Sequence, residues 1–147
     1  MKRFKFRLQT LLNQRQAKED RLLRELGQLR QEEVDTALRL SELQERLELT
    51  GPAMEGMLRS NATTHEIARL DEYAKALRDD VKIQELTLEA VRARVETKRA
   101  ELVEAMKDRK VLEALRCKQE RDYLLAFLRA EQNEMDEMAS VRYARGM

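Results

Sequence analysis

Apolar residues recur in alternating steps of four and three along most of this chain. In the first stretch the seam runs through Leu8, Leu12, Leu22, Leu26, Leu29, Leu40, Leu43 and Leu47, with Arg15, Glu19, Glu33 and Thr36 as polar interruptions. In the second it runs through Leu70, Ala74, Leu77, Val81, Leu88, Val91, Val95, Leu102, Ala105 and Leu112, interrupted by Gln84, Lys98 and Arg109. A period of about 3.5 residues held this long is the signature of helices that wrap around one another.

Helix-breaking residues gather in one place. Thr50-Gly51-Pro52 reads as a helix stop, because Gly takes a left-handed cap and Pro cannot continue the ladder. Gly56 and Ser60-Asn61 extend the predicted loop, and Thr63 followed by Glu66 is a capping-box pattern that restarts a helix. Elsewhere Gly27 is the one glycine inside a helical stretch. The pattern predicts helix 1 over about residues 8–49, a loop over about 50–63 and helix 2 over about 64–140, in one coiled-coil domain spanning 1–147. The fold class is all-α: an antiparallel two-helix coiled-coil hairpin with helix 2 longer than helix 1.

Composition narrows the function classes. Of 147 residues 39% are charged and only 4% aromatic, with one Pro, one Cys, one His and no Trp, which leaves little to fill a thick core. Lys and Arg number 29 against 28 Asp and Glu, so no global basic field is available to hold nucleic acid. The single Cys117 allows no internal disulfide and suits a reducing compartment. No apolar run follows the basic start MKRFKFRLQ, and the stretch Leu124 to Leu128 is too short to span a bilayer, so a cytoplasmic protein is expected.

Chemistry-bearing constellations are absent from the sequence. His65 stands alone at the start of helix 2, and no His or Cys pair has metal-ligand spacing. There is no phosphate loop, dinucleotide fingerprint or nucleophile elbow. Cys117 lies between Arg116 and Lys118 but has no base or pocket to make it a nucleophile. The sequence therefore predicts no enzyme, no catalytic residue, no metal and no cofactor.

Unequal helix lengths make one end distinctive. A fold-back near residue 57 sets Leu8 opposite about residue 106, and helix 2 then projects beyond its partner unless residues 1–7 extend the pairing slightly. A lone helix of roughly 30 residues is marginal in water, so the projection calls for another protein or a second copy. The segment 107–121 is basic on balance, Tyr123, Leu124, Leu125, Phe127 and Leu128 form the densest apolar cluster, and Glu131, Glu134, Asp136 and Glu137 form an acidic block before Arg142 and Arg145. At the same pole lie Lys2, Arg3, Phe4, Lys5, Phe6 and Arg7. Basic and aromatic residues gathered at one tip point to a docking surface; an anionic membrane surface is a secondary reading.

The opening FKFRLQTLLNQRQAKED resembles the start of FliJ-family proteins, coiled-coil components of the bacterial flagellar export apparatus, at Phe4, Phe6, Leu8, Leu11, Leu12 and Arg15. A second resemblance falls on Arg109, Lys110, Leu112, Glu113, Leu115, Tyr123, Asp136, Glu137, Ala139, Arg142 and Arg145. The resemblance implies an antiparallel two-helix stalk, similar to that of rotary ATPases, whose terminal pole enters the hexameric flagellar export ATPase and activates it. It further implies contacts with the export-gate membrane protein and with export chaperones, at the cytoplasmic face of the inner membrane and only peripheral to the membrane. ATPase-binding residues would then be Phe4, Phe6, Arg109, Lys110, Arg116, Tyr123 and Phe127, and gate-binding residues Tyr73, Leu77 and Gln84. Packing of Tyr73 and Leu77 within the hairpin is an equal alternative. The alternative functions are a structural or chaperone-type coiled coil, or the equivalent stalk of a virulence type III secretion system.

Overall fold

The computed structural model describes residues 3–146, so Lys2 of the basic N-terminus lies outside the described residues. Two helices account for nearly all of them: α1, Gln9–Arg59, and α2, Thr64–Ala144. They form the expected antiparallel hairpin, with α2 the longer at 81 residues against 51. The chain divides into two compact units, Leu22–Glu101 and Met1–Arg21 with Leu102–Met147.

In the unit Leu22–Glu101 the four-three stepping becomes a buried seam. Leu22 and Leu26 of α1 are buried, as are Ala74, Leu77, Val81, Leu88, Val91 and Val95 of α2, with Val91 wholly out of water. Each such Leu or Val side chain contributes about 1.5–3 kcal/mol relative to exposure, the main force holding two helices that lack a thick core. Thr36 interrupts the seam at little cost, because its hydroxyl donates to the Glu32 carbonyl at 2.7 Å. Ion pairs flank the seam: Glu33 with Arg92 at 3.4 Å, Glu32 with Arg94 at 2.9 Å, and Glu25 with Lys98 at 2.9 Å. Exposed pairs of this kind are each worth under about 1 kcal/mol, and their larger effect is to fix which heptad meets which.

The connection differs from the predicted loop. Helix α1 continues through Pro52 to Arg59 instead of stopping near residue 49. The four-three stepping explains it: after Leu43 and Leu47 come half-buried Thr50, Met54 and Met57, so the inward face persists past the proline. Pro52 itself points to solvent, and the Thr50 hydroxyl donates to the Leu47 carbonyl at 2.6 Å one turn earlier. The actual turn is short. Asn61 takes the left-handed conformation at φ 56°, the Ala62 amide donates back to the Met57 carbonyl at 3.1 Å, and the Ser60 amide to Gly56 at 3.0 Å. This is a helix cap with Asn in the place usually held by Gly. Thr63 then caps α2 as its sequence predicts, its Oγ1 accepting from the Glu66 amide at 3.2 Å.

Moving the turn from residue 57 to Asn61 shifts the pairing. In the unit formed by the chain ends, Glu19 pairs with Arg109, and the ring of Phe4 lies 5.7 Å from that of Tyr123. Pairing thus reaches well past residue 106, since the segment before α1 extends it. Leu8, expected on the seam, is 38% exposed, and Phe6 is buried near it in sequence. From Leu128 to Gly146, through the end of α2, every residue is exposed.

Two outcomes test this account. A proline inside a helix costs about 3 kcal/mol relative to alanine, so Pro52→Ala should stabilise the hairpin by about 1–3 kcal/mol in urea unfolding followed by circular dichroism. Hydrogen bonds to Glu25 first and Glu101 second hold the Lys98 ammonium above its usual pKa of 10.5. A raised pKa means the folded state holds that proton more tightly. The stabilisation is therefore fully present below about pH 10 and lost as pH rises through the elevated value. The gap in unfolding midpoint between wild type and Lys98→Gln should be constant from about pH 7 to pH 9 and shrink above about pH 10.5.

Candidate partner-binding surface

The unit formed by the chain ends gathers most of the residues that the sequence marks out. Residues 3–6 precede α1 without helical structure, and the Phe6 carbonyl accepts the Gln9 amide at 3.1 Å, starting the helix. Phe6 is buried to 8% exposure together with Leu12, Leu102 and Ala105 in this unit. Phe4, half-buried, meets Tyr123 at a tilted angle of 46°. Offset aromatic pairs in this distance range gain about 0.5–1.5 kcal/mol beyond area burial. Arg3 and Lys5 line a shallow groove with Phe4 and Tyr123, so a basic and aromatic surface is assembled from both ends of the chain.

Arg109 occupies a different position. Its Nε donates to the Glu19 carboxylate and its Nη1 to Glu113 at 2.7 Å, and its side chain retains only 17% exposure. Glu19, then Glu113, raises the guanidinium above its already high pKa, so the charge is permanent and internally matched. Arg109 and Glu19 are both polar interruptions of their seams, and the fold sets one against the other. Glu19 is not among the candidate site residues of the sequence, although its signal is there: an acidic gap in one seam calls for a basic gap in the other.

Lys110 and Arg116 are exposed on α2, and Phe127 is half-buried. Phe4, Lys110, Arg116, Tyr123 and Phe127 are therefore accessible in whole or part, whereas Phe6 and Arg109 serve mainly to build the unit. The second candidate group lies on α2 in the unit Leu22–Glu101. Leu77 is buried to 4% exposure and packs the seam, Gln84 is half-buried, and Tyr73 is 49% exposed. Tyr73 borders a groove with Arg46, Leu49, Thr50, Ala53 and Leu70 near the turn.

Among the described residues no group of three or more His, Cys, Asp or Glu side chains is arranged to hold a metal ion. No helix among them is long and apolar enough to cross a membrane. His65 and Cys117 are exposed. What the arrangement offers is contact area: rings and cations on a helical scaffold, able to bind a protein face of complementary shape and acidity.

Substituting Arg109→Gln should leave Glu19 without its cation and loosen the start of α1. Amide hydrogen exchange over residues 9–21 should quicken about tenfold or more while exchange around Val91 stays unchanged. Equal acceleration in both places would mean that the pair supports the whole hairpin and not its terminal unit.

Among known protein families, the family described as Flagellar FliJ protein matches residues 4–147, essentially the entire chain. No curated protein and no solved structure matches it.

Proposed function

The chain belongs to the flagellar FliJ protein family, and from that premise we propose that it is a non-catalytic stalk that activates the flagellar export ATPase. Family membership makes it a component of flagellar protein export. The finer reading is that its terminal surface binds the hexameric ATPase, while the hairpin links that ATPase to the export gate and to export chaperones. Its place is then in the cytoplasm, peripheral to the inner membrane.

The observation that carries the reading is the surface made jointly by Phe4, Tyr123, Arg3 and Lys5. It unites the two ends of the chain, so it exists only when the hairpin is folded. Lys110 and Arg116 add exposed cations on α2 in the same unit. Long flexible cations beside aromatic anchors suit contact with several unlike faces of a ring, because no single rigid geometry is demanded. Phe6 and Arg109 act in this reading as supports: they hold Phe4 and α2 in place and meet the ATPase little themselves. For the gate, Tyr73 is the exposed contact and Gln84 a partial one, with Leu77 as the buried support beneath.

ATP hydrolysis by the export ATPase of the same organism tests this directly. The full chain should stimulate hydrolysis. Phe4→Ala combined with Tyr123→Ala should weaken binding by about tenfold or more, as expected for aromatic anchors, while helicity is kept. Tyr73→Ala should leave stimulation intact and weaken capture of the gate protein. A folded chain that stimulates no hydrolysis would overturn the stalk reading and favour a structural or chaperone role.

A further inference from the structure

Beyond the hairpin seam, α2 carries a second four-three stripe that faces solvent. It runs from Ala114 to Met138 in steps of three and four, and all of its members are exposed, with Leu124, Leu128, Met135 and Met138 between 50% and 66%. An exposed stripe of this kind is the pattern of a helix that has a coiled-coil partner. Neither strand of the hairpin supplies one, because the partner-facing residues of α2 here are the half-buried Arg109, Leu112, Leu115 and Phe127.

The order of residues in the stripe identifies the occupant. Read backwards from Met138, the stripe has the same spacing as read forwards from Ala114. A two-fold axis at the height of Ala126 therefore maps the stripe onto itself. Leu124 then layers on Leu128 of a second copy, Cys117 on Met135 and Ala114 on Met138, each a pairing of apolar or soft side chains. The two charged layers set Arg121 against Glu131 of the second copy, one on each side of the axis. Within the described chain neither Arg121 nor Glu131 has an ion-pair partner. Isologous contacts require such self-complementarity; alternating three-four spacing offers it in any heptad stripe, and what singles out this register is that it sets Arg121 opposite Glu131.

We propose that the segment Ala114–Met138 of α2 pairs antiparallel with the same segment of a second copy of this chain, in a register set by Arg121 and Glu131. The paired length is about 37 Å at ~1.5 Å per residue. On one flank Glu120 lies against Glu134 of the second copy, like against like. That repulsion makes the dimer weak and reversible, so the stripe is covered when the chain is alone and available when another partner competes. A charged layer inside a coiled coil costs stability and excludes other registers, because any slip leaves Arg121 and Glu131 facing apolar side chains.

The test uses the full chain without any ATPase, so its failure leaves the stalk reading as it stands. Sedimentation equilibrium should show a concentration-dependent monomer–dimer mixture. Arg121→Glu alone, or Glu131→Arg alone, places like charges in both Arg121–Glu131 layers and should weaken dimerisation by about tenfold or more. The combined Arg121→Glu and Glu131→Arg variant restores opposite charges in both layers and should return the dissociation constant to within about threefold of wild type. Circular dichroism confirms that each variant keeps its helices. A chain that stays monomeric up to about millimolar concentration overturns the proposal. So does a dimer indifferent to the single variants, or one that the combined variant fails to restore.

Discussion

One narrow strip of aliphatic side chains supports everything else in this protein. With few aromatic residues and a large share of charge, the chain has no means of building a thick core, and α1 and α2 meet along the line that contains Leu22, Leu26, Leu88, Val91 and Val95. Neither helix would be stable on its own merits of propensity; an amphipathic face buried against a neighbour does that work. The strip is nearly uniform, so it specifies contact without specifying register. Register comes from the polar gaps, where Thr36 satisfies itself locally and Glu19 faces Arg109. Apolar burial supplies the free energy, and charged gaps decide how the helices are set against each other.

Most of the fold was legible because a 3.5-residue repeat has few physical interpretations. The spacing marks the seam on α2 residue by residue, and its apolar members from Ala74 to Ala105 are buried. The turn was misplaced for a specific reason. Gly51-Pro52 is a strong local breaker, but the seam steps onward through Thr50, Met54 and Met57, and tertiary packing on that face outweighs the local preference of an outward-facing proline. Once the turn moves to Asn61, the whole pairing slides, and the end of the paired region moves from about residue 106 to Tyr123. A boundary a few residues out thus became an error of a dozen or more at the far end.

The candidate surface was legible only as a list of residue types. Sequence could bring Phe4 and Tyr123 to one pole, because a hairpin returns its ends together, and the rings do meet. It could not separate residues that are displayed from those that are consumed. Phe6 differs from Phe4 by two positions and Arg109 from Lys110 by one, yet Phe6 is buried and Arg109 is held between two carboxylates. For Arg109 the four-three spacing already hints at the difference, since it stands on the seam and Lys110 does not; for Phe6 the difference depends on the chain path before α1, which neither composition nor spacing encodes.

The closely capped turn at Asn61 has a kinetic consequence. A hairpin closed by so few residues can assemble like a zipper, each new pair closing only a short additional loop beside pairs already made. Separation along the sequence grows from 59 residues for Glu33 and Arg92 to 73 for Glu25 and Lys98, and to 90 for Glu19 and Arg109. Phe4 and Tyr123 lie farther along the same progression, so they close last and open first. Among the paired segments, the aromatic surface is thus the part whose formation is most easily reversed.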